Sequence, residues 1–361
     1  MAGYSEHVPA FIEPAPREAP APFLMDDART RRSTAGDPDF RPPHPQQPEF
    51  IQTPAVQAHL ACARLRSGCV HYRSGRRISF ALGSPIAEPG QLRSAAAEFD
   101  DWLRGRNMRS AYFGVEAEYA ECLAEGRRQI LIGSQPILTT ADWQDIKQHS
   151  AGLRTQIRRG LRRVRIVPMT PEATDYATEI QDCLKSWLGT RPAPPMGFAA
   201  DARLSTELKH FHSVHAAIDE SGVIQAYLCL SALPAGRRFL AEHMIRRRHA
   251  PNGVMEALID HLFSNQILSA EAQLSLGLVA LSERYLGRPY TNPLSFRFLR
   301  RLARGLGSRA YRFHGLEQFR RRLCPLTWSP VFLLADSSLS MAAIAVGLAC
   351  LFFQSGPPGI G

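Results

Sequence analysis

A chain of 361 residues with 45% hydrophobic and 21% charged residues has the make-up of a packed globular protein with room for about two domains, which excludes wholesale disorder. A single uncharged apolar stretch approaches membrane length, which excludes a multi-span membrane protein. The formal charge of +10, from 43 Lys and Arg against 33 Asp and Glu, favours an anionic partner: nucleic acid, a phospholipid surface or a phosphorylated substrate.

Lysine occurs only at Lys147, Lys185 and Lys209, leaving 40 arginines, whose planar forks pair bidentately with phosphate and carboxylate. GC-rich coding would produce the same bias, so the clustering says more than the count. The seven cysteines are scattered, with no CxxC pair and no Cys/His quartet at zinc spacing, so the expectation is reduced thiols and no metal. No basic patch followed by an apolar run opens the chain, so no secretory signal is read.

Residues 1–50 hold 10 of the 27 prolines and little apolar periodicity. They read as a disordered leader, with a proline-rich docking motif as the alternative. Short strands follow at Cys69–Tyr72 and Ile78–Leu82 around a hairpin-like turn, then a helix at Leu92–Arg106 and a buried strand at Ser110–Val115. A helix at Glu118–Glu125 and two extended pieces, Gln129–Ile132 and Pro136–Leu138, complete an α/β domain over 51–150.

Residues 151–166 form the sharpest local feature. Leu153, Ile157, Leu161 and Val164 recur at helical spacing, while Arg154, Arg158, Arg159, Arg162, Arg163 and Arg165 cover the other faces. Six guanidinium groups with no acid among them repel one another unless a polyanion neutralises them. A solvated face paired with acids from elsewhere in the fold is the plainer alternative.

The second domain, 167–335, is expected to carry a helix at Ala173–Leu188 and a rigid loop at Gly189–Gly197. Strands follow at Val214–Ile218, Val223–Leu230 and Phe239–Ile245, the first two joined by a turn at Asp219–Gly222. Pro251–Gly253 breaks the third strand before a helix at Val254–Leu268. A strand at Leu274–Leu278, a basic helix at Leu294–Leu306 and a last strand at Pro330–Leu334 complete it. The two halves share a plan of strands, helix, strand and helix, which suggests duplication. In the tail, 336–361, Leu339–Phe353 is uncharged. As a helix it would span about 22 Å, short of the ~30 Å hydrocarbon core. It reads either as a terminal helix packed on the domain or as a membrane-dipping anchor.

Several strings align in order with one family: YFGVE at 112–116, LRTQIRR at 153–159, WLGTR at 187–191 with PMGF at 195–198, APNG at 250–253, LGLVALS at 276–282, FHGLEQFR at 313–320 and WSP at 328–330. The chain resembles the catalytic domain of the lysyl- and alanyl-phosphatidylglycerol synthases over roughly residues 60–335. The resemblance implies an α/β (α+β) fold of two tandem acetyltransferase-like (GNAT-type) domains joined by the basic helix. It also implies an aminoacyltransferase that moves an amino acid from aminoacyl-tRNA to the hydroxyl of phosphatidylglycerol or a related lipid, with no cofactor beyond the tRNA donor. Its expected partners are aminoacyl-tRNA, an anionic phospholipid and the membrane surface, engaged by Leu339–Phe353. Its expected place is the cytoplasmic face of the cell membrane, peripheral or tail-anchored. The chain departs from longer family members in lacking their multi-span portion.

On this resemblance, Arg154, Arg158, Arg159, Arg162 and Arg163 suit RNA backbone or lipid phosphate. Glu242 and His243 are the nearest candidates for the general base, and Glu242 also for holding the ammonium. Arg246, Arg320 and Arg322 are candidates for phosphate contact. Asn252 and Gly253 open a helix whose N-terminal amides can bind an anion. Each has a plainer alternative: a salt bridge from Glu242 to Arg247 or Arg248, a plain turn at Asn252–Gly253, a solvated helix face at Arg320 and Arg322, and substrate-assisted proton transfer. His210, His212 and His215 read as solvent-edge histidines rather than metal ligands, and the HxxxD string from His215 to Asp219 as chance. The missing (R/Q)xxGx(G/A) loop argues against acetyl-CoA as donor. An acyl-CoA transferase with a non-lipid acceptor and a non-catalytic RNA- or membrane-binding module remain the competing functions.

Overall fold

In the computed structural model, the described residues are 49–170, 176–191, 197–233, 237–285, 290–298, 300–301 and 313–353, all within one compact unit, residues 42–361. In chain order the strands are β1 (Ala61–Leu65), β2 (Gly68–Ser74), β3 (Ile78–Leu82), β4 (Ile86–Ala87), β5 (Arg109–Glu116), β6 (Arg127–Thr139), β7 (Arg165–Met169), β8 (Ser213–Ile218), β9 (Ile224–Ala232), β10 (Arg238–Arg246), β11 (Gln273–Ser275), β12 (Val279–Ala280) and β13 (Thr327–Asp336). The helices are α1 (Pro54–Gln57), α2 (Leu92–Arg104), α3 (Ala117–Leu123), α4 (Thr140–His149), α5 (Ala151–Leu161), α6 (Ala177–Leu188), α7 (Val254–Ser264), α8 (Phe313–Arg322) and α9 (Met341–Phe353).

One sheet runs through the fold in the order β1-β2-β3-β5-β13-β6-β11-β10-β9-β8-β7, with β12 on β6 and β4 on β2. Its two ends repeat a plan. An antiparallel run leads into a strand, a helix and a parallel partner: β3-α2-β5 at one end and β10-α7-β11 at the other. Helices cover both faces, because the inner strands, such as β3, β5, β6 and β9, bury residues on both sides. In the β7–β11 half, α4, α5 and α7 share one core with Leu138 and Leu228, and α6 packs on the opposite face through Ile180 and Leu184. In the β1–β6 half, α2 packs on one face through Leu92 and Phe99, and α9 on the other through Ile344 and Leu351.

Several expectations change. Glu49 and Phe50, assigned to the leader, are buried; residues 1–48 lie outside the described residues. The two extended pieces at 129–138 are one strand, β6. Pro136 is tolerated there because its nitrogen, which cannot donate, faces the same side as its carbonyl, where the neighbouring chain leaves the ladder between β11 and β12. β13, expected in the second domain, pairs antiparallel with β5 and β6 of the first. α4 was missed because its composition is polar, although Thr139 and Asp142 form a capping box at its start. The loop at 189–197 and the basic helix at 294–306 fall partly outside the described residues; 294–298 is helical.

α5 ends at Leu161, not 166, and β7 begins at Arg165. Leu161 is 48% exposed; Gly160 takes the buried position instead. The cause is close approach. A Cβ on Gly160 would lie 2.6 Å from the carbonyl oxygen of Gly253, and one on Gly253, whose φ is 87°, would lie 1.9 Å from that of Gln156. Two glycines therefore let the backbone of the basic helix touch the start of α7.

Candidate functional site

That contact forms one wall of a cleft of about 690 Å³. Gln156 and Arg159 of α5 line it, with Trp187 of α6, the following Gly189–Arg191, Met244 and Arg246 of β10, Arg247, Arg248 and Pro251–Gly253 of the turn after it, the first turn of α7, and Leu316, Phe319 and Arg322 of α8. Six arginines face this space (Arg159, Arg191, Arg246, Arg247, Arg248 and Arg322) against one acid, Glu256. The first turn of α7 adds to the positive field, since no side chain caps its N-cap Gly253. Two of the arginines are held in place. Arg247 pairs with Glu179 at 3.0 Å and donates to Ile224 O at 2.7 Å, and Arg191 lies over the Trp187 ring at 4.1 Å. The cleft thus sets an excess of positive charge beside one carboxylate.

The candidate residues separate on this geometry. Arg159, Arg246, Asn252, Gly253 and Arg322 are brought together on the lining. Arg158, Arg162 and Arg163 are exposed on or just after α5, and no acid pairs with them among the described residues. Arg154 turns away and caps α4, donating to the carbonyls of Lys147 and Gln148 at 2.6 and 2.5 Å. Arg320 is buried and donates to Leu278 O at 3.3 Å, so it braces α8 rather than facing the cleft.

Glu242 and His243 lie outside the lining. The β9–β10 register slips between Ala241 and His243, which makes Glu242 the extra residue of a β-bulge. Its carboxylate is buried and accepts from Ser231 Oγ at 2.5 Å, not from Arg247 or Arg248. Burial pushes its pKa up to about 7, opposed by hydrogen bonds from Ser231 and Thr53. His243 is buried against Phe211, 3.9 Å from Glu242, and burial lowers its pKa to about 4. The bulge also flips the strand's alternation: Ala241 points to the α7 core and Ile245 to the α6 core.

Of the set-aside histidines, His212 is exposed, while His215 is buried with its ring 5.1 Å from that of His261. His210 meets Glu207 at 3.1 Å. Asp219 closes its turn by accepting from Ser221 N and Val223 N.

The profile of the phosphatidylglycerol lysyltransferase C-terminal domain matches residues 56–335. The chain belongs to this family. Among solved structures, the C-terminal domain of a putative lysylphosphatidylglycerol synthetase from Agrobacterium fabrum aligns with TM-score 0.68 and 18% identity, over 86% of this chain and 96% of that one. L-PGS from Bacillus licheniformis aligns with TM-score 0.69 and 17% identity, over 86% and 94%. A Bacteroides thetaiotaomicron protein of unknown function aligns with TM-score 0.56 and 13% identity, over 80% and 90%. No curated protein matches. The synthetase-type fold therefore holds as expected from the aligned strings.

Within this lysyltransferase-type domain, the reading of the residues alone left Gln156, Glu256, Phe319 and the stacked Trp187–Arg191 pair without a role. Glu256 had a signal: it stands in the first helical turn, three residues past Gly253. The others carry none, because only packing brings α5, α6 and α8 to one space.

Proposed function

We propose that this chain transfers an aminoacyl group from aminoacyl-tRNA to a hydroxyl of phosphatidylglycerol or a related anionic lipid, on two acyltransferase-like lobes whose repeat is β-α-β. The observation that carries this reading is the arginine-lined cleft at the contact of α5 with the open end of α7. Phosphates of the tRNA 3′ end and of the lipid headgroup are both anions that such a cleft concentrates. Arg159, Arg246 and Arg322 contact phosphate, and the α7 amides at Gly253 receive an oxyanion. Glu256 holds the aminoacyl ammonium.

In the transfer, the lipid hydroxyl oxygen forms a bond to the ester carbonyl carbon and the bond to the ribose oxygen breaks. The hydroxyl proton ends on that ribose oxygen. Holding both substrates in one cleft removes most of the entropic barrier. The amides of α7 stabilise the negative charge that develops on the carbonyl oxygen. Glu242 and His243 sit behind the lining, so Glu242 supports the bulged strand and the proton passes between the substrates.

Among the described residues, no helix is long and apolar enough to cross a membrane. α9 instead leaves Val346 63% and Phe353 49% exposed, an apolar surface suited to lie in the interface of a bilayer at its cytoplasmic face. The test is expression in a host without aminoacylated lipids, followed by lipid extraction and mass spectrometry. A new aminoacyl lipid whose formation in lysate stops on ribonuclease treatment supports the reading. A ribonuclease-resistant, CoA-dependent product overturns it.

A further inference from the structure

One face of the β1–β2 hairpin carries chemistry that aminoacyl transfer does not use. Cys62 stands directly opposite His71 across the ladder, and Cys69, opposite Arg64, precedes His71 by two residues. Directly opposed residues share a face, as do residues two apart on a strand, so the three side chains project together. Their ligating atoms all lie within 4.8 Å of one another. Both cysteines are free. Cys62 is exposed on the edge strand, and Cys69 and His71 are half-buried, so the cluster is open to solvent. The Nδ1 of His71 is buried without a hydrogen-bond partner among the described residues.

We propose that Cys62, Cys69 and His71 form a binding site for a soft divalent cation of the zinc class, with two thiolates and one imidazole as ligands and the fourth position open to solvent. Tetrahedral zinc with bonds of about 2.3 Å to sulfur and 2.0–2.1 Å to nitrogen sets its ligands roughly 3.5–3.8 Å apart. The cluster reaches this by an ~1 Å closure of side chains that already share a face. Two sulfurs and a nitrogen select zinc over magnesium or calcium. On binding, the two thiols give up their protons to solvent, and the two negative charges that result cancel those of the metal. The neighbouring Arg64 guanidinium then faces a neutral complex. The sequence spacing gave no zinc pattern because the hairpin, not a CxxC turn, brings the ligands together. Six strands separate β1 from β10 in the sheet, so the metal staples an edge strand and takes no part in the transfer.

The test is titration of the reduced full chain with Co2+ as probe, followed by displacement with Zn2+. The expected result is one equivalent of Co2+ producing a near-ultraviolet thiolate-to-cobalt band that Zn2+ abolishes. Cys62→Ser/Cys69→Ser should lose the band, and His71→Ala should bind more than about tenfold more weakly. Cys122→Ser/Cys324→Ser/Cys350→Ser should keep the band. Zn2+ should raise the thermal midpoint of the unsubstituted chain and not that of Cys62→Ser/Cys69→Ser, with lipid aminoacylation intact in both. A second triad, His59, Glu207 and His210, offers no sulfur and gives no such band. Absence of the band, its survival in Cys62→Ser/Cys69→Ser, unchanged affinity in His71→Ala, or a Cys62–Cys69 disulfide forming in place of metal binding overturns the proposal.

Discussion

Replacing Gly160 with alanine tests how the cleft is built. The new Cβ would stand 2.6 Å from the Gly253 oxygen and 2.8 Å from its carbonyl carbon. Ordinary contact begins near 3.4 Å, so α5 and the start of α7 must part by about 0.8 Å. Overpacking of this kind costs roughly 1–3 kcal/mol, offset by up to about 1 kcal/mol of helix propensity. The net loss is up to about 2 kcal/mol, a fall in Tm of up to roughly 3 °C for a unit of this size. Turnover should fall further, by about a hundredfold, because Arg159 and the α7 amides move relative to each other by nearly an ångström. Gly152→Ala is the control: it lies on the same helix with nothing within 4 Å of its Cβ, and should keep or slightly raise Tm with turnover unchanged. Differential scanning fluorimetry and a lipid aminoacylation assay read both quantities. If Gly160→Ala matches Gly152→Ala in stability and turnover, the glycine contact does not position the cleft.

Replacing Arg158, Arg159, Arg162 and Arg163 with glutamine should weaken tRNA binding and flatten its dependence on salt, as filter binding at several ionic strengths would show; unchanged binding removes the role given to this helix. Arg238 meets Glu116 at 2.5 Å in a buried pair that joins β10 to β5, and Arg238→Ala should cost about 3–5 kcal/mol in chemical denaturation. Glu242, with its pKa raised from 4.5 to about 7 by burial, stabilises the fold fully below pH 4.5 and loses that contribution as pH rises through 7. Glu242→Gln should therefore exceed the unsubstituted chain in denaturation midpoint at pH 8.5 but not at pH 5, with turnover retained; lost turnover with the fold intact would make Glu242 the base. Val346→Glu/Phe353→Glu should reduce co-sedimentation with anionic vesicles at constant Tm, whereas Leu351→Ala, in the buried face of α9, should cost about 2–5 kcal/mol.

The periodic elements were legible because their signals are local. Leu153 and Ile157 marked α5, Leu92 and Phe99 marked α2, and Pro251–Gly253 marked the start of α7. The aligned strings gave the family, since they record side chains that must recur in order. β1 escaped notice: a short strand that buries only Ala63 carries no strong apolar alternation. α4 escaped because its apolar face is only Trp143 and Ile146.

By itself, the amino-acid order determined where most strands and helices begin and end, the excess of arginine and its concentration beside α5, and the family these elements compose. Tertiary structure alone decided which arginines share a cleft, that Arg154 and Arg320 serve as braces, and that Glu242 lies behind the wall. It also decided that β13 returns to pair with β5 and β6. The physical reason is range. Helix periodicity and turn chemistry act over a few residues, whereas burial and charge meet across loops of a hundred or more, and only packing fixes which of those distant groups face the same space.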